Sequence, residues 1–589
     1  MPRDPRVIEQ FMWGYQSYFR MSVKNATEAA FEAICFDSKA YVVLVGFQVS
    51  GEHKFTICVE PEDGPYSPAD FAGVTERAAG LYRQHPDFCT VHTNPGVHGR
   101  RHRALQREMR AKAITEVLSV HPASAGLTFF ASMPNRVGDY EVHTVVGVRR
   151  SALEATPQLR TTQRDGFLIT PSFVHALLGE ILDRATAQLY IPDAGAGGNA
   201  LGAGTPELVR SATERFVRCI FVCAGSWFGQ GTDLLLNALS ALPYEGRSGF
   251  GFLLLAAPET PGVEVVMRLG SPVRLGSTRA VRKLLEASGD NVGLLAGELR
   301  DSFGGSVYAL GSVRDDYDAT SETVFVVSII GRGAWDLEHN GEAMLSVRDG
   351  VAQLPTRTLD ASVLRDSIER TLPDADVDRL ISLAVAAELN DHGAMLVISG
   401  DAASEAQRLS PQAWSVEPVD ITPELMSQLT AMDGAVLVDP QGRCHAVGVI
   451  LDGRADNAGD PSRGSRYNNT VRYLGSQPPP CVIIVYSSDR TIDILPRLMP
   501  KVSRATVEEA LSRYLSLAAE RPPHFEWTYE AQDDLAEYKF YLSQEQCDQV
   551  NTAVAALNDW RMSNRGMSIG HDDWIHNPEM SDGYWRNLA

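Results

Sequence analysis

No apolar run in the 589-residue chain is long enough to cross a membrane as a helix. The longest runs, YVVLVGF from Tyr41 and VFVVSII from Val324, are about seven residues against the roughly 18 to 20 a bilayer requires. Both read as buried strands. No apolar leader opens the chain either: MPRDPRVIEQ carries charges and prolines where a secretory signal is hydrophobic, so the expected location is cytoplasmic. Cysteine is scarce and scattered. The eight (Cys35, Cys58, Cys89, Cys219, Cys223, Cys444, Cys481 and Cys547) contain no Cys-x-x-Cys, which argues against a zinc framework or a disulfide scaffold. They read mostly as small core residues. Positive charge is the third shortage: 53 Lys and Arg face 74 Asp and Glu, a formal net charge of -21 and a pI near 5.1. That balance argues against sequence-independent binding along nucleic acid, which clustered cations drive.

What is present is ample core material, 44% hydrophobic and 22% charged, as in an ordinary folded protein, neither disordered nor fibrous. The length predicts three or four domains, taking about 150 residues for each. Residues 1–150 alternate strand-like runs with a helix near Asp70 to Gln84. A basic stretch, GRRHRALQREMRAKAITEVL from Gly99, then has helical spacing at Leu105, Met109, Ala113 and Val117. Its arginines read as a solvated face, with an acidic partner surface or nucleic acid as the alternative. Residues 151–355 read as a mixed α/β sensor or accessory region, with a purely structural extension as the alternative. The glycine-rich DAGAGGNALGAGT, Asp193 to Thr205, lacks the lysine of a P-loop and reads as a flexible loop. SPVRLGSTRAVRKLLEAS from Ser271 is helical in period, with Val281, Leu284 and Leu285 on one face.

A third unit is expected over 356–502. VDRLISLAVAAELNDHG predicts a helix with Leu380, Leu383, Ala384 and Ala387 inward and Gly393 at a left-handed cap, followed by the strand AMLVISG. Two strands joined at Pro440 to Gly442 and a second pair in CVIIVYSSDRTIDILP complete it. Residues 503–589 read as a helical tail announced by a capping box from Thr506 to Glu509. In that tail His571, Asp572, Asp573 and His576 lack a metal framework and read as ordinary carboxy-terminal residues.

Two features of the third unit point to an anion. Arg454, Arg463, Arg466 and Arg472 sit among Gly459, Gly464, Ser462, Ser465 and Asn468, read as a loop in which guanidinium forks and neutral donors meet a polyphosphate. Arg466 is the strongest candidate. Asp433, at a strand start beside Gly434, supplies a carboxylate for a divalent metal, and Mg²⁺ favours one or two carboxylates plus substrate phosphates.

Residues about 360 to 500 resemble the diadenylate cyclase, DisA-type, nucleotide-binding domain. The resemblance rests on HGAMLVIS (His392 to Ser399), DGAVLVD with its hairpin to GVILDG, and RGSRYNNTVRYL, in the family's order, with Asp433 lying 33 positions before Arg466. It implies that two ATP condense into cyclic di-AMP with release of pyrophosphate. By resemblance Asp433 and Gly434 sit at the metal (Mg²⁺ or Mn²⁺) and the reacting ribose, with Arg466 as the third catalytic residue. The nucleotide falls to Gly393, Ala394, Met395, Leu396, Ala435, Arg463, Gly464, Ser465, Tyr467 and Asn468. Self-association is implied as well, because each domain holds one ATP and two must face each other. The chain departs from the family at one place: Arg466-Tyr467-Asn468 stands where Arg-His-Arg is typical, one cation fewer. Arg463 or Arg472 is the expected compensation. The alternatives are a non-catalytic sensor that binds ATP or a cyclic dinucleotide, and a scaffold whose arginines form only salt bridges.

Overall fold

The computed structural model describes all residues except 1–8, 63, 92, 125, 227–230, 244–250, 290–291, 300–304, 356–358, 389–392, 454–464, 488–491, 524, 567–569, 571 and 587–589. The chain is a mixed α/β, multidomain protein, 44% helix and 24% strand, and divides into two compact units, Met1–Pro355 and Thr356–Ala589. Among the described residues no helix is long and apolar enough to cross a membrane. Six of the eight cysteines are buried, and Cys35 and Cys89 are exposed.

Among the described residues the first unit holds a five-stranded sheet, an eight-stranded sheet and the short pair Gln163–Arg164 with Phe167–Leu168. The runs read as buried strands pair as expected: Tyr41–Gln48 lies between Ile57–Glu60 and Tyr140–Arg149, antiparallel to both. The basic stretch is helical over Pro95–Val120, with Asn94 accepting from the amides of Gly96 and Val97 and Leu105, Met109, Ala113 and Ile114 turned inward. The helix expected near Asp70 begins later, at Val74, after a short turn capped by Ser67. Ser271 to Arg274, expected to be helical, closes the strand Val263–Arg274; only Thr278–Leu285 is helix, burying Val281 and Leu285. An eight-stranded sheet occupies the region from Gly251 to Gln353. One buried cluster runs from Met12 to Leu354, across position 150, because the helices Phe173–Gln188 and Thr205–Cys223 bury nearly all their apolar side chains in it.

In the second unit a six-stranded sheet runs in the order Trp414–Asp420, Arg443–Val449, Ala435–Val438, Ala394–Ser399, Cys481–Tyr486, Ile492–Leu495. Only the central pair, Ala394–Ser399 with Ala435–Val438, is parallel. Helices cover both faces, so these strands are apolar throughout rather than alternating. Leu396 and Ile398 face Leu364, Leu380 and Leu383 of the helices Ala361–Thr371 and Val377–Glu388. Met395 and Val397 face Ala402 and Ala406 of the helix Ala402–Arg408, together with Tyr473. The predicted inward residues Leu380, Leu383, Ala384 and Ala387 are all buried. Gly393 takes the left-handed φ, +76°, beyond the helix's last residue, Glu388. The tail packs the helices Arg504–Ala519, Phe525–Ala536 and Gln544–Arg565 around Tyr514, Leu535 and Val550. Its first cap is Ser503, whose hydroxyl accepts from the Thr506 amide, so the expected box at Thr506 to Glu509 lies inside the helix instead.

Candidate nucleotide site at the head of the parallel strand pair

The two halves of the sequence-predicted site meet. Leu396 pairs with Val436 on the parallel strands, so Ala394 and Gly434 lie two positions earlier on neighbouring strands, at one end of the sheet. Asp433 precedes Gly434 there, and its Oδ1 accepts from Nη2 of Arg466 at 3.0 Å. The Asp433 side chain is 95% exposed and that of Arg466 32%. A carboxylate so open to solvent can exchange its guanidinium partner for a ligand at little cost.

Gly434 holds this end of the sheet in shape. Its φ is +104°, and a Cβ there would lie 2.5 Å from the carbonyl carbon of Gly448 on the antiparallel neighbour. The space beside Gly434 is therefore filled by backbone and is not open to a ligand. Gly448 has a φ of +61°, and its own Cβ would meet the Trp414 ring at 2.5 Å. Two glycines thus let the hairpin close beneath an indole, and the turn presents Asp433 outward.

The segment read as an arginine-glycine loop is in part a helix. Residues Ser465–Gly475 are α-helical, burying Thr470 and Tyr473 against the sheet. Thr470 Oγ1 donates to the Arg466 carbonyl at 2.9 Å and lies 3.3 Å from Met395 Sδ, a contact that seats the helix on the strand Ala394–Ser399. Arg466 and Arg472 are six residues apart, about 120° around the helix axis, so they diverge rather than converge. Arg472 instead packs its backbone against Gly453, where a Cβ would fall 2.4 Å away. The expected compensation by Arg472 is therefore corrected. Arg454, Arg463 and Gly464 lie outside the described residues.

Ala394, Met395, Leu396 and Ala435 are buried, their side chains in the two cores. They shape the floor of the site, and only their backbone is left to face a ligand. Ser465 is exposed, and Arg466, Tyr467 and Asn468 are half-buried on the first turn of the helix. A cation that sequence reasoning missed stands beside them: the guanidinium of Arg497 lies 5.9 Å from the centroid of the Tyr467 ring. Its Nη2 donates to Asp493 at 2.5 Å. Tyr467 thus has a cation against its ring that its own side chain does not carry.

A charged network fixes the helix from behind. Tyr473 OH donates to the buried Glu405 at 2.7 Å, Arg408 donates to Glu405, and Arg408 Nη1 reaches Asp452 at 2.8 Å. Burial first, and then the Glu405 carboxylate, push the Tyr473 phenol far above its ordinary range, so it stays a donor at every physiological pH. At the opposite end of the strand Ala435–Val438, Asp439 accepts from the amides of Gln441 and Arg443 and from the side chains of Arg443 and His445. Burial raises its pKa, but these bonds together outweigh burial and hold it below the ordinary carboxylate value. This cluster closes the Pro440 to Gly442 turn and lies away from the site.

Among the described residues no group of three or more His, Cys, Asp or Glu is placed to hold a metal ion. Asp433 alone fits a cation carried in on substrate phosphates, which asks the protein for one or two carboxylates. In the tail, His576 Nδ1 donates to the Leu542 carbonyl, and His571 lies outside the described residues.

Comparison with known proteins places two matches, both in the first unit. Residues 12–217 match a family described as "Probable sensor domain DACNG", and residues 232–341 one described as "Probable sensor domain DACNH". Both are sensor-domain families associated with diadenylate cyclases, a coarse link to regulated cyclic di-AMP synthesis. No match to the cyclase catalytic domain accompanies them. No curated protein matches the chain. Among solved structures, a hypothetical membrane spanning protein from Bacillus cereus matches at 18% identity and a TM-score of 0.18. That match covers 22% of this chain and 63% of the other, less than two thirds of its length, and carries no argument.

Proposed function

We propose that the chain is a nucleotidyltransferase of diadenylate cyclase type, whose second unit binds ATP at the Asp433–Arg466 pair and whose first unit regulates it. The observation that carries this reading is the 3.0 Å contact between Asp433 and Arg466, which brings the carboxylate and the guanidinium together at one end of the parallel strand pair. Sensor-type matches over residues 12–217 and 232–341 support the regulatory half.

In this reading Arg466, with Ser465 and the Arg497 guanidinium, holds phosphate oxygens, and Gly434 keeps the strand end close to the ribose. Asp433 would hold Mg²⁺ or Mn²⁺, which neutralises phosphate charge and polarises the α-phosphate. The 3′-hydroxyl oxygen of one ATP forms a bond to the α-phosphorus of the other as the bond to pyrophosphate breaks, and the reciprocal attack closes the ring. The protein's part is positioning and charge stabilisation. Because one site holds one ATP, two chains must face each other, so a homodimer or larger assembly in the cytoplasm completes the proposal.

The second reading, a sensor that binds ATP or a cyclic dinucleotide without condensing it, is favoured by one observation: Tyr467 packs partly into the core beneath Arg497, where the family has a titratable histidine. Calorimetric titration of ATP with and without Mg²⁺ tests what both readings share. Binding that Asp433→Asn makes metal-independent supports the site; absence of ATP binding refutes the cyclase, and absence of both ATP and cyclic dinucleotide binding refutes both readings.

A further inference from the structure

The glycine-rich run from Asp193 to Thr205 holds no phosphate signature, yet it is not a loose connection. Three hydrogen bonds lay it onto the helix Gln16–Ala33 and the residues just before it. The buried Trp13 indole donates to the Ala194 carbonyl at 2.8 Å, Ser22 Oγ donates to the Gly198 carbonyl at 2.9 Å, and the same hydroxyl accepts from the Ala200 amide at 2.9 Å. Gly195, with a φ of +95°, sits so close to the helix that a Cβ would lie 2.9 Å from the Phe19 amide nitrogen. The contact is built for glycine.

Between loop and helix lies a cleft of about 640 Å³, a volume suited to a small molecule. One wall carries Tyr15, Tyr18 and Met21, three large side chains left in solvent on a helix whose other face is buried; Tyr18 is 70% exposed. Asn25 continues that wall, and Asn199 with the backbone of Gly195 forms the other. The Asn199 side-chain oxygen Oδ1 already accepts from the amides of Leu201 and Gly202, which leaves its NH₂ as the donor of that side chain. Among the described residues no charged side chain lines the cleft.

We propose that this cleft is a binding site for a neutral, planar heteroaromatic ligand of the nucleobase class. Two phenols a turn apart and a thioether supply faces on which a ring stacks. The amides of Asn25 and Asn199 supply the paired donor and acceptor groups that read a base edge. Without a cation in the lining, and on a chain of formal charge -21, a phosphorylated ligand gains nothing over the bare nucleoside. Both walls fall inside the residues that match the sensor family, 12–217. The proposal does not rest on the nucleotide site of the second unit.

The test uses the full chain with adenosine, guanosine, cytidine and uridine as probes, by saturation-transfer NMR and calorimetry. At least one nucleoside should bind, its monophosphate no more tightly. Tyr15→Ala and Tyr18→Ala should each weaken that binding about tenfold or more, as loss of a base stack does. Tyr18→Phe should restore it, and Arg466→Ala should leave it unchanged. Failure of all four nucleosides to bind overturns the proposal, as does tighter binding of the monophosphates in the Arg466→Ala chain, which lacks the second unit's phosphate contact. Binding that survives Tyr18→Ala but disappears in Arg466→Ala assigns the signal to the second unit and overturns it too. A Tyr18→Ala variant that loses self-association, with no nucleoside bound by the parent, makes the cleft face an interface between copies instead.

Discussion

Replacing Arg466 with alanine separates a ligand site from a surface salt bridge, because the two roles predict opposite patterns. As a salt bridge, the contact joins Nη2 to a carboxylate that is 95% exposed. Such a pair contributes under about 1 kcal/mol to folding, shifting the melting temperature of a domain of this size by no more than about 2–4 °C. As a phosphate ligand, the guanidinium makes charge-assisted bonds of about 1.5–3 kcal/mol, a loss of roughly 10- to 150-fold in ATP affinity. Arg466→Ala should therefore keep its fold and lose its nucleotide. Equilibrium dialysis with labelled ATP, run beside thermal melts of the same preparations, reads both quantities. Arg466→Lys should recover only part of the affinity, since a point charge does not replace a bidentate fork. Unchanged ATP affinity in Arg466→Ala would refute the reasoning and leave the arginine a surface residue.

Gly434→Ala should destabilise the second unit by more than about 1–3 kcal/mol, the cost of a strained φ alone, because the new methyl also meets Gly448; Gly475→Ala, with open space around it, should cost little by the same urea titration. Tyr473→Phe leaves the buried Glu405 short of one donor and should lower stability by about 1.5–3 kcal/mol, measured in the same way. In the first unit His143 is fully buried, its Nδ1 donating to the Ser132 carbonyl, and burial pushes its pKa from 6.5 to about 4. The unfolded chain then takes up a proton below about pH 6.5 that the folded chain refuses until about pH 4. This contribution is absent above pH 6.5 and removes up to ~3 kcal/mol as the pH falls to 4. Urea midpoints across that range should fall more steeply for the parent than for His143→Phe, and equal slopes would exclude the histidine as the cause.

Much of the second unit could be read in advance because its signals are local. The helix Val377–Glu388 announces itself through Leu380, Leu383, Ala384 and Ala387 at helical spacing, and the hairpin through Pro440 to Gly442 between apolar runs. Asp433 and Arg466 were paired from residue chemistry and resemblance, and the sheet brings them into contact. Where local signals compete, the reading fails. Glycines and hydroxyls before position 465 suggested a loop, whereas burial of Thr470 and Tyr473 on the sheet winds Ser465–Gly475 into a helix and turns Arg472 away from Arg466. Thr506 looked like a cap because a glutamate follows three residues on, but Ser503 reaches the first free amide earlier. Arg497 carried no signal at all. It comes to Tyr467 only because the strand Ile492–Leu495 folds back on Cys481–Tyr486, a tertiary fact. The cleft at Tyr18 is of the same kind, since its walls lie some 180 positions apart in the chain and meet through Trp13 and Ser22.

The most direct test of the central proposal is to incubate the full chain with labelled ATP and Mg²⁺ or Mn²⁺, beside Asp433→Asn, and to resolve the products by mass. A cyclic dinucleotide and pyrophosphate from the parent alone is the predicted result, and it would show that Tyr467 and Asn468 are compatible with condensation. ATP bound but recovered intact under both metals would contradict the cyclase and leave the second unit a nucleotide sensor.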